Sequence, residues 1–476
     1  MAHPITPHPR WVMRGAQLAA ILVAGLRMAV RLAKKGTRIY GAGAEAIDTR
    51  PVIPADGLAS RTRDVALEDL LGRNPVRLDE DRIRGTLEGK IVLVTGVAGS
   101  IGSELCRQIA RFGPAGIVGF EMAESPLFEM DREMRQTFPQ TPFYPEIGSI
   151  QHGARLDEVL RRHSPAIVYH AAAYKHVPMM EAHVFEAVEN NVFGTYNVAR
   201  AAAEHGVEDF MLISSDKAVR PSNVMGATKR ASELLLLAPG LNRTKFVAVR
   251  LGNVLGSNGS VIPIFKKQIA SGGPITVTHP DMRRFFMTIP EACQLVLEAG
   301  VIAEGGQICV LDMGAAVKIV DLARNLILLS GLRPEKDIKI EFSGTRPGEK
   351  LYEELSSVRE DTVITAHEKI RVFIGQGAPS GRQLEIWLSN LREACRQRDV
   401  GGLLGTLKEM IPDYSPSANL LRRAREQRTP SRDVMNLHYG LEERGARRVA
   451  AGWFASDLEV DVGCGRCSGQ PGGPPH

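Results

Sequence analysis

The sequence lacks the features that mark several classes of protein. Only six cysteines are scattered among 476 residues, so a disulfide framework is excluded and a reducing, cytoplasmic compartment is favoured. Cys464 and Cys467 form one C-x-x-C pair with no second pair, and we therefore expect no metal site. A net charge of +5 with 24% charged residues is too small to indicate a nucleic-acid partner.

Acidic residues are absent from the first 44 positions. Residues 11–35 are predicted to be helical, but their longest uncharged run, 15–26, is far shorter than the ~18 residues that span a bilayer. Basic residues recur there as one helical stripe: Arg27, Arg31, Lys34, Lys35 and Arg38. This pattern has two interpretations. Either residues 11–38 form a helix in peripheral contact with the inner face of the cell membrane, or they are a plain N-terminal extension.

Apolar strands alternate with stretches of helix length between residues 90 and 252. Predicted strands span residues 91–95, 116–120, 166–170, 210–213 and 246–251. With a third strand that ends before Ser149, they are the first, second, fourth, fifth and sixth of the pattern. This alternation is typical of a Rossmann-like α/β fold, a doubly wound parallel sheet, here with a smaller C-terminal substrate-binding region. We divide the chain into an N-terminal segment (1–63), a linker helix (64–89), a Rossmann-like sheet domain (90–252), the smaller substrate-binding region (253–378), C-terminal helices (379–425) and a disordered tail (426–476).

A glycine-rich turn follows the first predicted strand. Gly96, Gly99 and Gly102 are spaced G-x-x-G-x-x-G and open a predicted helix. Glycines permit a tight turn and let the backbone, including Ser100 and Ile101, approach a pyrophosphate at the helix N-terminus. The strand–turn–helix context predicts a dinucleotide site, with an ordinary βα turn as the weaker alternative.

Glu121 ends the second predicted strand, where an acid binds ribose hydroxyls and repels a 2′-phosphate. It favours NAD as the cofactor, although NADP stays open and a surface glutamate is the alternative interpretation. Ser149 and Ile150 follow the third strand, where the adenine of the cofactor is expected.

The fourth predicted strand ends in small residues. Ala171 and Ala172 leave space for a cofactor, and Lys175 and His176 follow directly. For the histidine, a structural role and a substrate-facing role are weighted equally. Lys175, His176 and, at the start of a later helix turn, Asn191 are thus candidate cofactor or substrate contacts.

The fifth predicted strand leads to a segment from which a tyrosine is missing. Ser215, Asp216 and Lys217 follow the strand, and Met225 and Lys229 stand in a Tyr-x-x-x-Lys-like arrangement, one helical turn apart. Short-chain dehydrogenases move a proton with that tyrosine and lysine, whereas a thioether has no proton to transfer. Either redox chemistry is lost or other groups perform it, and Asp216 and Lys217 are the obvious candidates.

Residues from about 68 to 355 resemble the CapD-like polysaccharide-biosynthesis branch of the extended short-chain dehydrogenases, whose larger members also carry Met at this position. The segments that carry the resemblance are TGVAGSIGSEL, HAAAYKHVPMME, SSDKAVRPSNVMGATKR, RLGNVLGSNGSVIPIFKKQI, TVTHPDMRRFFMTIPEA and TRPGEKLYEEL. Those larger members begin with transmembrane helices and an extra nucleotide-binding domain. This chain has only the basic helix and a strand-like fragment at residues 39–43.

The resemblance implies a lyase, a 4,6-dehydratase of UDP-N-acetylglucosamine-type sugars in capsule or lipopolysaccharide biosynthesis, and we expect a homo-oligomer. A hydride moves from the sugar C4 to NAD, water is eliminated across C5 and C6, and the hydride returns to C6. Asp216 would be the acid, Lys217 the base, Lys229 the holder of the nicotinamide ribose and Ser215 a donor to the C4 oxygen. Three candidates stay open for the group that deprotonates the C4 hydroxyl: a water chain that leads to Lys229, Asp216 itself, or Lys217 itself.

The nucleotide half of such a substrate requires cationic and backbone partners. Asn253 and the loop that contains Ser260 are expected at the UDP pyrophosphate. Arg284 and Arg346 suit bidentate contact with phosphate or uridine, and Glu349 lies in the same segment as Arg346. A structural ion pair between Arg346 and Glu349 is the alternative.

Two other functions stay open from the sequence. A UDP-sugar 4-epimerase uses the same cofactor and sugar site, but it returns the hydride to C4 and needs no acid–base pair for C5 and C6. The adjacent Asp216 and Lys217 therefore favour dehydration. A catalytically vestigial nucleotide-sugar-binding protein is suggested by Met225, whereas the intact glycine turn and Lys229 argue against it.

The basic stripe predicts salt-dependent binding of the full chain to anionic vesicles, since each charge near such a surface is worth ~1 kcal/mol. Deleting residues 1–38 should release the protein from vesicles and leave catalysis intact. Co-sedimentation at low and high salt measures the binding. If the shortened chain still sediments, or the full chain never does, the segment is a plain extension.

Overall fold

The computed structural model describes residues 76, 78–238, 244–354, 361–374 and 377–428. The predicted basic helix, the fragment at 39–43, the start of the linker, the C-x-x-C pair and the predicted tail beyond Arg428 lie outside these residues. Within them, no helix combines the length and the apolar character needed to cross a membrane.

A nine-stranded sheet lies at the centre of the described fold. Its strands are β1 (Ile91–Thr95), β2 (Gly116–Glu121), β3 (Phe143–Ile147), β4 (Ile167–His170), β5 (Asp209–Ser215), β6 (Lys245–Leu251), β11 (Gln307–Leu311), β14 (Asp361–Ile364) and β15 (Ile370–Ile374). Their order is β14-β15-β11-β6-β5-β4-β1-β2-β3. All neighbours are parallel except β15, which runs antiparallel to both β11 and β14. The 3-2-1-4-5-6 order within this sheet confirms the predicted doubly wound fold.

Helices cover both faces of the sheet, because the parallel strands are nearly continuous apolar runs that must be buried on both sides. The helices are α1 (Glu80–Leu87), α2 (Ser100–Ile109), α3 (Glu124–Thr137), α4 (Gly153–His163), α5 (Val177–Ala182), α6 (Val184–Val188), α7 (Gly194–Glu204), α8 (Val224–Leu237), α9 (Val261–Ala270), α10 (Ile289–Ile302), α11 (Ile319–Leu329), α12 (Gly381–Gln397), α13 (Val400–Met410) and α14 (Ala418–Arg428). Helices α2, α3 and α10 pack on one face, and α4 and α7 pack on the other.

The smaller C-terminal region has its own apolar core. Three two-stranded sheets lie here: β7 (Asn253–Val254) with β10 (Phe286–Met287), β9 (Arg283–Arg284) with β12 (Val317–Lys318), and β8 (Ile275–Val277) with β13 (Ile340–Phe342). Helices α9 and α11 pack with β8 and β13 around buried side chains that include Phe265 and Leu326. The chain also returns to the large sheet at β11, β14 and β15. The domain boundaries given above stay a prediction.

The stretch predicted to be helical from residues 383 to 410 is a helical hairpin. Arg398 separates α12 from α13 and has a left-handed φ of 54°. Its guanidinium pairs with Glu186 on α6 at 2.8 Å. Trp387 of the hairpin belongs to the same buried apolar cluster as Met225 on α8. The C-terminal helices therefore support the helices that lie beside the cleft described below.

A fully buried ionic network joins β5, β6, α8 and β15. Arg250 donates two hydrogen bonds of 2.8 Å to the Glu233 carboxylate, and neither side chain is exposed. Arg230 and Ser214 add donors at 2.9 and 2.6 Å, and both guanidinium groups lie over the Phe373 ring. Burial alone would raise the pKa of Glu233, but the two arginines and Ser214 lower it to about 2. Glu233 is therefore ionised at neutral pH.

We expect Glu233→Gln to destabilise the protein by about 3–5 kcal/mol, because two buried guanidinium groups lose their counter-ion. Since the folded pKa is depressed from 4.5 to about 2, this stabilisation is complete above pH 4.5 and fades as the pH falls toward 2. Urea unfolding measures the loss. Glu129→Gln is the matched control, because Glu129 pairs with Arg132 at the same i,i+3 spacing on an exposed helix face, where less than ~1 kcal/mol is expected. Equal losses would contradict the role given to the network.

Candidate active site

A cleft of about 880 Å³ follows the carboxyl ends of the parallel strands, where the strand order reverses between β1 and β4. Doubly wound sheets bind ligands at this position. Most of the predicted site residues line the cleft: Gly96, Gly99, Ser100, Ile101, Gly102, Ala171, Lys175, His176, Ser215, Lys217, Met225, Lys229, Asn253, Ser260, Arg284, Arg346 and Glu349. Outside its wall are Glu121, Ser149, Ile150, Ala172, Asn191 and Asp216.

The glycine turn forms a cradle that side chains would fill. Gly96 has a left-handed φ of 66°, and a Cβ there would lie 2.8 Å from the Cα of Ala172. A Cβ on Gly102 would overlap the carbonyl oxygen of Gly96. No side chain caps the first turn of α2, so its N–H groups are available to an anion. The cradle fits the pyrophosphate of a dinucleotide.

The residues predicted to bind the adenosine half lie further along the same sheet edge. The Glu121 carboxylate accepts the N–H groups of the next two residues at 2.9 and 3.1 Å. These bonds fix it at the end of β2 and leave acceptor capacity for hydroxyl groups. Ser149 Oγ accepts a backbone N–H at 3.2 Å, and Ile150 is buried. Their contacts with a cofactor stay predictions.

A buried hydrogen-bond chain fixes the tautomer of His170 at the end of β4. Thr195 donates its hydroxyl to the Asn191 carbonyl at 2.7 Å, so it accepts from His170 Nε2–H at 3.0 Å. His170 Nδ1 then accepts the Thr95 hydroxyl at 2.7 Å. Burial, with a smaller effect of nearby Lys229, lowers the pKa of His170 to about 3. This histidine is a neutral structural group under the cleft.

Asn191 holds the loop after β4 against α8 and does not face the cleft. It lies on a π-helical turn (Glu189–Phe193), a feature that often marks functional sites. Its amide oxygen accepts the N–H of Tyr174 at 2.8 Å, and its amide nitrogen donates to the Tyr174 carbonyl at 3.0 Å and to Thr228 Oγ1 at 3.1 Å. The cofactor contact that the sequence predicts for Asn191 stays a prediction. No sequence pattern indicates the clamp that these hydrogen bonds form between Asn191, Tyr174 and Thr228.

The end of β5 carries a compact group of polar side chains. Lys217 Nζ donates to Asp216 Oδ1 at 2.9 Å and to Asn253 Oδ1 at 3.0 Å, and Ser215 Oγ donates to Asp216 Oδ1 at 3.0 Å. Asp216 is fully buried, and its Oδ2 has no hydrogen-bond partner among the described residues. An unpaired buried carboxylate oxygen is costly. The geometry therefore favours a ligand hydroxyl or a water as the missing donor.

Helix α8 approaches this polar group because Gly226 has no side chain. A Cβ on Gly226 would overlap the Lys217 carbonyl oxygen, and Asn223 caps the helix by accepting the Gly226 N–H at 2.8 Å. The first turns of α8 thereby present Met225 and Lys229, both nearly buried, to the cleft. Burial lowers the pKa of Lys229 to about 8, and a nearby carboxylate acts in the opposite direction. Both the amine and the ammonium form are thus accessible near neutral pH.

The opposite wall carries the predicted cations and one acid that the sequence interpretation missed. Arg284 pairs with Glu349 at 3.5 Å and with Glu353 at 3.8 Å. From Arg346, the Glu349 carboxylate accepts the backbone N–H, at 3.2 Å, and the described residues show no ion pair between the Arg346 guanidinium and Glu349. Burial raises the pKa of Glu353 against the opposing charge of Lys217. In the sequence KLYEEL this residue has no feature that separates it from a surface glutamate.

Two contacts across the cleft bring distant segments together. His176 packs on Gly259, where an added Cβ would lie 2.7 Å from the imidazole, and the N–H of Asn258 donates to Ser100 Oγ at 3.1 Å. Ser260 Oγ is buried and has no partner among the described residues. The loop at residues 256–260 therefore adjoins both the glycine cradle and the loop after β4.

We expect Lys229→Met to stabilise the cofactor-free protein, because folding buries an ammonium group. The folded pKa of about 8 lies below the ordinary 10.5, so the penalty is complete below pH 8 and vanishes above pH 10.5. Each pKa unit corresponds to ~1.4 kcal/mol, which predicts a gain of about 3 kcal/mol at pH 7. Urea unfolding at pH 7 and pH 10 tests this, with the surface variant Lys90→Met as control. A gain that does not shrink at pH 10 would contradict the explanation.

The sequence of the chain is similar to that of a known protein family. The sequence profile of the polysaccharide biosynthesis protein family matches residues 92–374. The capsular polysaccharide biosynthesis protein CapD of Staphylococcus aureus is 55% identical over 311 residues, which are 65% of this chain and 52% of that protein. The probable polysaccharide biosynthesis protein EpsC of Bacillus subtilis is 57% identical over 304 residues, 63% of this chain and 51% of that one. The chain thus spans about half the length of these relatives.

A solved structure supports the same assignment. The X-ray structure of Pen from Bacillus thuringiensis is 34% identical in sequence and superposes with a TM-score of 0.55. It covers 62% of this chain and 90% of that one. Since the family profile extends over more than half of the sequence, the chain belongs to the polysaccharide biosynthesis protein family.

Proposed function

We propose that the chain is a NAD-dependent 4,6-dehydratase of a UDP-N-acetylglucosamine-type nucleotide sugar in bacterial surface polysaccharide biosynthesis. The observation that carries the proposal is a polar group at the cleft: Lys217 and Asn253 line the cleft together with Lys229, and Asp216 is buried behind the wall and hydrogen-bonded to Lys217. Elimination across C5 and C6 needs a base and an acid close together. This group supplies an amine and a carboxyl 2.9 Å apart.

The cofactor would occupy the half of the cleft beside β1 and β2. When bound, NAD accepts a hydride from C4 and returns it to C6. The N–H groups of the glycine turn would hold the pyrophosphate, Glu121 the adenosine ribose and Lys229 the nicotinamide ribose. A carboxylate at Glu121 repels a 2′-phosphate, which favours NAD over NADP.

The acid and the base arise from one hydrogen-bonded pair. As an ion pair, Lys217 is an ammonium and Asp216 a carboxylate. Transfer of one proton across their 2.9 Å hydrogen bond gives an amine and a carboxylic acid without changing the net charge. The amine then removes the C5 proton, and Asp216, whose Oδ2 has no partner in the described chain, protonates the departing 6-hydroxyl. Asn253 holds the Lys217 nitrogen from its other side at 3.0 Å.

The nucleotide half of the substrate would lie against the smaller C-terminal region. Ser260, whose buried hydroxyl lacks a partner among the described residues, and the N–H groups of its loop suit the pyrophosphate. Arg284 is held by Glu349 and Glu353, so it offers a positioned charge. Arg346 is exposed on the cleft wall and offers a guanidinium for phosphate or uridine.

We expect Lys217→Met to lower turnover by about 10²–10⁴-fold, the usual contribution of a positioned base, while NAD binding survives. The substrate is UDP-N-acetylglucosamine, and mass spectrometry detects the 4-keto-6-deoxy product by the loss of one water. Lys90→Met is the matched control, because Lys90 is a partly buried, ion-paired lysine at the opposite edge of the sheet.

The product that the wild-type protein forms distinguishes a dehydratase from an epimerase and from a vestigial binding protein. A sugar of unchanged mass and inverted C4 would identify an epimerase, and binding of NAD and UDP-sugar without turnover would identify a vestigial site. Turnover of Lys217→Met within about threefold of wild type would remove Lys217 from the mechanism while leaving the dehydratase in place.

A further inference from the structure

Met225 gives the cleft no phenol, yet a phenol reaches the cleft from another element. Among the described residues that line the cleft, Tyr174 is the one tyrosine. It lies in the loop between β4 and α5 and packs on the apolar cluster that contains Met225. The hydrogen bonds of Tyr174 use its backbone, which leaves its hydroxyl without a partner in the described part of the chain.

The backbone of Tyr174 is held firmly and close to α8. The Asn191 amide binds both the N–H and the carbonyl of Tyr174, at 2.8 and 3.0 Å. The same amide nitrogen donates to Thr228 at 3.1 Å, and Thr228 directly precedes Lys229. One buried side chain therefore ties the tyrosine to the helix turn that carries the cleft lysine.

We propose that Tyr174 is a catalytic residue whose hydroxyl oxygen takes the proton of the sugar O4, the task that Met225 cannot perform. This inference rests on the proposed function, because it assumes a nucleotide sugar that is oxidised at C4. It assigns the group that deprotonates the C4 hydroxyl to the loop after β4 and not to α8.

The proton and electron balance of the step is complete. The O4–H bond breaks, its proton goes to the Tyr174 oxygen, and the Tyr174 proton goes to the amine form of Lys229. The C4–H bond breaks with its electron pair passing to the oxidised nicotinamide dinucleotide, and a C4 ketone forms. Lys229 enters this step as a neutral amine and becomes an ammonium. In the later steps Asp216 gives a proton to the departing 6-hydroxyl, and Lys217 returns the C5 proton to C5 when the hydride reaches C6. Lys229 then passes its proton back to the Asp216–Lys217 pair, so the O4 proton replaces the one that left in water and all three groups are restored.

The first test measures binding and needs no turnover. Calorimetry on the full-length, cofactor-free chain compares UDP-N-acetylglucosamine with UDP. Tyr174→Phe removes one hydrogen bond to O4, so we expect about fivefold weaker binding of the UDP-sugar and unchanged binding of UDP. Tyr196→Phe is the matched control, because Tyr196 packs on the same apolar cluster but does not line the cleft.

The second test follows the C4 step itself. Tyr174→Phe should lower turnover by about 10²–10³-fold and increase the kinetic isotope effect with C4-deuterated substrate, because C4 oxidation becomes rate-limiting. Lys217→Met acts on the later elimination and should not increase that isotope effect. In the Tyr174→Phe background, Met225→Tyr should restore turnover at least about tenfold by returning a phenol to α8, whereas Met225→Leu should not.

The outcomes separate this inference from the proposed function. If wild type forms no dehydrated product, the dehydratase is wrong, and the binding comparison still tests the contact with O4. If wild type dehydrates and Tyr174→Phe keeps turnover within about threefold, Tyr174 is not the catalytic group. Equal losses of affinity for UDP and the UDP-sugar would also overturn the proposal, because the defect would then be structural.

Discussion

The buried ion pair between Arg250 and Glu233 is the constraint on which the cleft depends. A charge with no solvent exposure costs several kcal/mol unless it is paired and fully hydrogen-bonded. Here two guanidinium groups and a serine hydroxyl satisfy one carboxylate. The network joins β5, β6 and α8, so a shift of any of these elements would leave a buried charge without its partner. Their adjoining ends carry Lys217 and Lys229.

Two glycines, Gly226 and Gly252, allow close packing around the polar group at the end of β5. Because Gly226 carries no Cβ, α8 touches the backbone of Lys217. A Cβ on Gly252 would lie only 3.3 Å from Asp216 Oδ2, so glycine also preserves the space beside the unpaired oxygen. The result is a hydrogen-bonded Lys217–Asp216 pair and a second, nearly buried lysine at the same cleft, where low solvation strengthens electrostatic interactions. That environment lowers the pKa of Lys229 to about 8.

The fold and the grouping of polar side chains after β5 could be predicted because both depend on local patterns. Continuous apolar runs between helix-length stretches predict the parallel strands, and the glycine spacing predicts the cradle. The contacts that depend on tertiary packing could not be predicted. Glu353 has no periodicity that shows its burial, and the Asn191 clamp joins residues that only a π-helical turn aligns. The Arg346–Glu349 pair is a reasonable expectation from spacing, but Arg284 comes from another strand and takes the carboxylate.

Met225 has a physical explanation in the packing of the C-terminal hairpin. Its side chain belongs to a buried apolar cluster shared with Trp387 and Leu407, and it also borders the cleft. An unbranched thioether packs well in such a partly apolar position. From the loop after β4, Tyr174 packs on the same cluster and also lines the cleft, and its backbone is held by Asn191. The two positions therefore border the same cleft, which is why we propose that a phenol from the loop performs the proton transfer that the Met225 thioether cannot.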